Sequence, residues 1–236
     1  MEASAEVLAI WDKFCSGFKI TDTCVPLFEV DNDGNVKTKK IGKTLRRTVL
    51  QRSQRMESMI VEIARQLIDD YTNHNDNPDM ERAFDGMLYM MGWKEEGRFL
   101  PLYVGKTETL GRKDDGGLSR NIRGIPTSQS RTIFARWGDN YQYHIGDLSA
   151  CVLEDHAEDK RQRRYQRWAK TLFRDEGKSL KLKKDTYFWA TPWRPAKTSV
   201  WEELGPTTLA VSEYLLIGVA GKINPDDFLN RDGVPR

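Results

Sequence analysis

Cysteine and histidine are scarce in this chain of 236 residues, with three of each. Cys15, Cys24 and Cys151 contain no Cys-x-x-Cys pair, and His74, His144 and His156 lie far apart in sequence. No zinc-site spacing results, and an odd cysteine count argues against a disulfide framework. Reduced, partly buried thiols in a cytoplasmic protein are the expectation. Long apolar runs are missing too. No stretch approaches the ~18 uncharged residues of a membrane helix, and the first ten residues carry no basic-then-apolar leader. Secretion and membrane insertion are therefore not expected. Internal repeats and low-complexity tracts are also absent.

The apolar and aromatic residues that remain, 39% against 31% charged, suit a folded chain rather than a disordered one. The length fits one large domain, or a compact domain with an appendage.

A net charge of +2 conceals strong segregation. Lys37 to Arg55 holds eight basic residues and no acid, and Lys160 to Lys184 holds eleven against Asp175 and Glu176. These 44 residues carry +17, so the other 192 carry −15. Segregation on that scale creates a strong local field and favours a polyanion as partner, through phosphate contacts. The solvated charged face is the plain alternative for either block alone. In the second block Tyr165, Trp168, Ala169, Leu172 and Phe173 recur at helical spacing, while Arg161, Arg163, Arg164, Arg167, Lys170 and Arg174 cover the remaining surface. A helix docked by its aromatic face and basic on the other is expected. The first block, with Arg46 and Arg47 as further candidate DNA contacts, runs into Met56, Ile60, Ile63 and Leu67, the stripe of a long helix ending near Tyr71.

Residues 1–78 read as mostly helical, with Asp31 to Gly34 a turn able to join two short strands, and Asn73 to Pro78 as a linker. Residues 84–125 read as strand, turn, strand, helix. Residues 126–236 read as a loop, a strand at Tyr141 to Leu153, the basic helix, a strand at Thr186 to Thr191 and an apolar helix over Thr207 to Ala220.

Two segments, Gly42-Lys43-Thr44 and Gly105-Lys106-Thr107, end like phosphate-binding loops. That loop needs a glycine five residues before its Gly-Lys, where Lys37 and Leu100 stand, so neither is one. Glu176-Gly177-Lys178 has the tripeptide of a rival nuclease fold but lacks strand chemistry around it. More informative is the hairpin expected from Met87 to Met91 and Leu100 to Thr107, which sets Tyr89 and Tyr103 on neighbouring strands.

This hairpin resembles the GIY-YIG nuclease family. Met87-Leu88-Tyr89 stands for its first motif and Tyr103-Val104-Gly105 for its second, followed by Lys106. The family's order then requires an arginine, a metal-binding glutamate and an asparagine, and Arg120, Glu213 and Asn230 supply them in sequence. Arg112 and Arg123 compete with Arg120, and Asn224 competes with Asn230. The likeness covers roughly residues 84–125 and 186–231. It departs from the family in the Met-Leu-Tyr reading of the first motif, a long hairpin loop and about 60 residues, 126–185, inserted before the third core strand.

The resemblance implies an α+β fold, a small three-stranded antiparallel sheet flanked by helices; it leaves the first 80 residues unexplained, and residues 1–78 are expected to form a mostly helical, DNA-contacting region. A nuclease domain over 79–236 would then carry the insertion and its basic helix. It further implies that Tyr89 takes a proton from the attacking water, that Tyr103 orients the water, and that Arg120 and Lys106 stabilise phosphate charge. Glu213 stands among apolar neighbours from Leu209 to Ala220, where an ionised carboxylate is costly unless paired. A Mg2+ or Mn2+ ion answers that cost and suits phosphate chemistry. The function implied is a metal-dependent endonuclease on double-stranded DNA, of restriction or defence type, with a two-fold dimer the simplest way to cut both strands. A nucleic-acid-binding module on an inactive core is the alternative.

Overall fold

The computed structural model describes residues 3–41, 47–77, 79–111, 117–126 and 144–230. Along the chain run α1 (Ala5–Gly17), α2 (Ile20–Thr23), β1 (Val25–Pro26), β2 (Thr38–Ile41), β3 (Arg47–Leu50) and α3 (Gln54–Asp76). Then come β4 (Gly86–Glu95), β5 (Arg98–Glu108), α4 (Arg120–Gly124), α5 (His144–Val152), α6 (Arg163–Leu172), β6 (Thr186–Trp193) and α7 (Leu209–Ile223). The α+β class is as expected. The main sheet, however, has four antiparallel strands in the order β1-β6-β4-β5, the extra one being the two-residue β1 paired to β6. A second sheet pairs β2 with β3.

The central strand β4 explains the unbroken apolar run in the sequence. Residues 86–93 are all buried, because both faces of the sheet are covered. Met87, Tyr89 and Met91 join a core with α3 (Met56, Ile60, Ile63) and α6. Leu88 and Met90 face the opposite way, into a core with Trp11 and Phe14 of α1 and Leu216 of α7. The first 78 residues thus contribute to both cores.

The β4–β5 turn is only two residues, Glu96 (φ 49°) and Gly97 (φ 79°). Two left-handed residues match the twist of paired strands, so β4 continues through the segment that reads as polar turn in the sequence. Ser53 caps α3, its Oγ accepting from the Met56 amide at 3.1 Å, and Thr208 caps α7, accepting from Val211 at 3.4 Å. Such caps contribute about 1 kcal/mol each.

Two local expectations are corrected. The strand read over Tyr141 to Leu153 is helix α5 where the structure describes it, with Leu148 and Val152 buried one turn apart. Burial of one helical face overrides the strand reading for these residues, while Tyr141 and Tyr143 lie outside the described residues. Helix α3 runs on to Asp76, through most of the expected linker, and the Asp70 carboxylate accepts from the Ala83 and Phe84 amides at 3.0 and 3.1 Å to return the chain to the sheet.

Candidate active site and basic surface

Tyr89 lies opposite Gly105 in the β4–β5 register, and Tyr103 lies two residues before that glycine on the same face. A Cβ on residue 105 would stand 2.6 Å from Cζ and 2.7 Å from the hydroxyl of Tyr89, and 2.8 Å from Cε1 of Tyr103. Gly105 therefore exists to let the Tyr89 ring cross β5 and bring its hydroxyl to that of Tyr103, with ring centroids 6.2 Å apart. The second motif's glycine is thus a steric requirement of the tyrosine pair. A β-bulge at Leu102, where the register shifts between Met91 and Gly92, helps to aim Tyr103.

Both phenols hold their protons more firmly than a free tyrosine does. Burial pushes Tyr89 well above 10, and the neighbouring Tyr103 and Glu213 charges add to it. Burial also raises Tyr103, but the Arg164 guanidinium opposes the shift by charge and by hydrogen bonding.

Beside the tyrosines a cleft of about 440 Å3 is lined by Lys106, Thr107, Glu108, Ser119, Asn121 and Glu213. Lys106 is half-buried and ion-paired with Glu108. Glu213 leaves α7 between the buried Ser212 and Leu216 on one side and the exposed Val211 and Tyr214 on the other. Among the described residues no cluster of three or more His, Cys, Asp or Glu side chains forms. A multi-ligand transition-metal centre does not fit there. Mg2+, which takes one or two carboxylates and fills its octahedron with water and phosphate oxygens, fits a cleft holding Glu213 and Glu108.

Asn230 is engaged at the free edge of β5. Its Oδ1 accepts from the Val104 amide at 2.9 Å and its Nδ2 donates to the Val104 carbonyl at 2.8 Å. Leu229 donates to the Leu102 carbonyl at 2.7 Å, and Asn224 to that of Pro101 at 3.2 Å. The C-terminal segment so occupies hydrogen-bonding positions that an edge strand would expose. Both candidate asparagines hold the strand that carries Tyr103.

The arginines are distributed differently from the expectation. Arg120 and Arg123 are exposed on the five-residue α4, with Ser119 and Asn121 rather than Arg120 lining the cleft. Arg112 lies outside the described residues. The guanidinium that reaches Tyr103 is that of Arg164, on α6. Helix α6 docks by its aromatic face, with the Trp168 ring 5.0 Å from Tyr103 and the Tyr165 ring 5.4 Å from Trp168. Sequence periodicity revealed that face but not what it docks against. Asp147 of α5, only 1% exposed, had no signal in the sequence. Burial raises its carboxyl to about 7, with Arg164 opposing, and Gln162 donates to its Oδ1 at 3.3 Å.

The two basic blocks, more than a hundred residues apart, meet in space. Asn35 bridges to Lys181, and the Val36 amide donates to the Leu180 carbonyl at 2.9 Å. Across β3, the Thr48 amide donates to Asp155 at 3.2 Å, buried His156 contacts the Thr48 carbonyl at 2.6 Å, and Leu50 donates to Ser149 at 3.1 Å. A groove of about 670 Å3 between them is lined by Lys37, Lys178, Asn35, Thr38 and Gln51. Arg163, Arg164 and Lys170 are exposed, Lys170 pairing with Glu176 at 3.2 Å. Arg161 is half-buried, and Arg167 donates to the Phe228 carbonyl at 2.8 Å, which ties α6 to the C-terminal segment. Arg52 is buried against Glu57 at 3.3 Å. Arg46 and the Arg47 side chain lie outside the described residues.

Among the described residues no helix is long and apolar enough to cross a membrane. Compared with models of known protein families, with characterised proteins and with solved structures, the chain matches none.

Proposed function

We propose that this protein is a Mg2+- or Mn2+-dependent endonuclease that hydrolyses DNA phosphodiester bonds, in the manner of the GIY-YIG enzymes its hairpin resembles. The observation that carries the reading is the Tyr89–Tyr103 pair made possible by Gly105, with Glu213 within electrostatic reach of both hydroxyls. A carboxylate and a lysine lining one solvent cleft, with two buried phenols in reach of that carboxylate, are a donor set for a phosphate and an attacking water.

The phenols' environment refines the roles. Tyr89 holds its proton at neutral pH and is a hydrogen-bond donor in the resting site. Accepting a proton from water requires added positive charge, which Lys106 and a cation at Glu213 would supply. A cation held by Glu213 and Glu108 would supply Lewis-acid stabilisation of phosphate charge. Tyr103, already beside a guanidinium, is placed to orient the nucleophile or the phosphate. The joined basic surface would hold the duplex backbone, and a two-fold dimer would let both strands be cut.

A second reading, DNA binding without hydrolysis, is favoured by one observation: Arg120 stands outside the cleft lining. Plasmid cleavage by wild type, Tyr89→Phe and Glu213→Ala across Mg2+ and Mn2+ separates the two. The nuclease reading expects cutting that chelation abolishes and that both substitutions suppress. A wild type that retains DNA but never cuts it leaves only the binding module.

A further inference from the structure

Resting on the hydrolase reading, we propose that Arg164, from the helix inserted between β5 and β6, is the catalytic cation that binds the scissile phosphate, and that Arg120 is not part of the reacting centre. Arg164 sits in the first turn of α6, one residue before Tyr165 and four before Trp168. Trp168 packs against Tyr103, so the helix is fixed to the tyrosine pair by its rings. The Arg164 guanidinium lies over the Tyr165 ring, 5.5 Å from its centre, and reaches the Tyr103 hydroxyl by a hydrogen bond. It is exposed while its neighbours Tyr165 and Trp168 are buried, so the guanidinium beside Tyr103 is open to solvent rather than enclosed in the core.

The buried Asp147 of α5 lies within electrostatic reach of Arg164, and its Oδ1 accepts from Gln162 at 3.3 Å. A planar guanidinium offers two parallel donors to two phosphate oxygens, the geometry that a phosphate in transition demands. The inserted segment therefore does more than extend the DNA surface: it completes the site.

The test uses the full-length chain in single-turnover cleavage of duplex DNA with Mg2+, with DNA affinity measured in parallel. Arg164→Ala should slow cleavage about 100-fold or more, as loss of one preorganised charge donor does, with affinity changed only slightly. Arg164→Lys should recover little, because an ammonium cannot present the paired donors. Arg163→Ala, one residue away and exposed, should weaken binding without that loss, and Arg120→Ala should cleave within about threefold of wild type. A second readout is independent of cleavage: the Tyr103 phenolate absorbance, assigned with Tyr103→Phe, should titrate at higher pH in Arg164→Ala. Near-wild-type cleavage by Arg164→Ala, an unchanged Tyr103 titration, or the large loss appearing in Arg120→Ala overturns the proposal alone. A wild type that cuts nothing overturns the hydrolase reading and this assignment together.

Discussion

Around Tyr103 every charge has a neighbour that decides its state. Burial raises both phenols and Glu213 adds to it, Arg164 opposes the shift at Tyr103, and the enclosed Asp147 carboxyl is pushed up to about 7. Across β2–β3 and the outer face of α6, Lys37, Lys40, Arg163 and Lys170 stand in water instead, where pair energies are small and screened by salt. The cleft works by specific contacts, and the loss of one partner changes the rest. The basic surface works by summation, and no single residue dominates it. The same formal charge thus means two different things in one molecule, according to desolvation.

The largest test of that contrast is Glu213→Ala. Cleavage should fall about 100-fold or more while DNA affinity and its salt dependence stay close to wild type, measured by single-turnover kinetics and salt titration. A parallel drop in affinity would erase the distinction between the regions. Next is Gly105→Ala, whose Cβ would collide with both tyrosine rings. Overpacking of this kind costs about 1–3 kcal/mol, read as a lower denaturant midpoint, and activity should fall with it. Asn230→Ala removes both partners of the Val104 peptide group and should destabilise by about 1–3 kcal/mol, with Leu as poor a substitute as Ala.

Asp147 gives a prediction in pH. Its folded-state value of about 7 is above the ordinary carboxyl value of 3.8, so the folded protein holds this proton more tightly than the unfolded chain. Its contribution is fully present below the unfolded value and is lost as pH rises through about 7. Asp147→Asn should therefore gain stability over wild type progressively between those limits, seen in melting temperatures of both proteins across that range. A constant difference would mean that the carboxyl is not held neutral. The smallest expected effects belong to the surface: Lys37→Ala, Lys178→Ala and Arg163→Ala should each weaken DNA binding modestly and lower the salt slope by roughly one per phosphate contact. Cleavage of saturated DNA should change little.

Local signals were sufficient where neighbours in sequence are neighbours in space. The β4–β5 hairpin was legible because its apolar run, turn and second apolar run lie within about twenty residues, and the aromatic stripe of α6 was legible from its period. The failures came where a distant partner decided. The segment around Ile145 to Val152 has strand-forming residues, yet packing of Leu148 and Val152 made it a helix. The Asn-rich end of α3 resembles a linker, yet the helix continues to Asp76 before Asp70 catches the returning chain.

Composition, charge segregation and motif order were enough to indicate an α+β chain with two tyrosines on one hairpin and two basic blocks. Those properties are written in one dimension, since backbone preference and side-chain period act over a few residues. Which arginine stands at Tyr103, how Asn230 reaches Val104 and how the two basic blocks become one surface depend on contacts across about 60 to 145 residues of chain. Such contacts are selected by the burial of whole faces, by the covering of the β5 edge and by the docking of α6 on the sheet, and no local pattern records them.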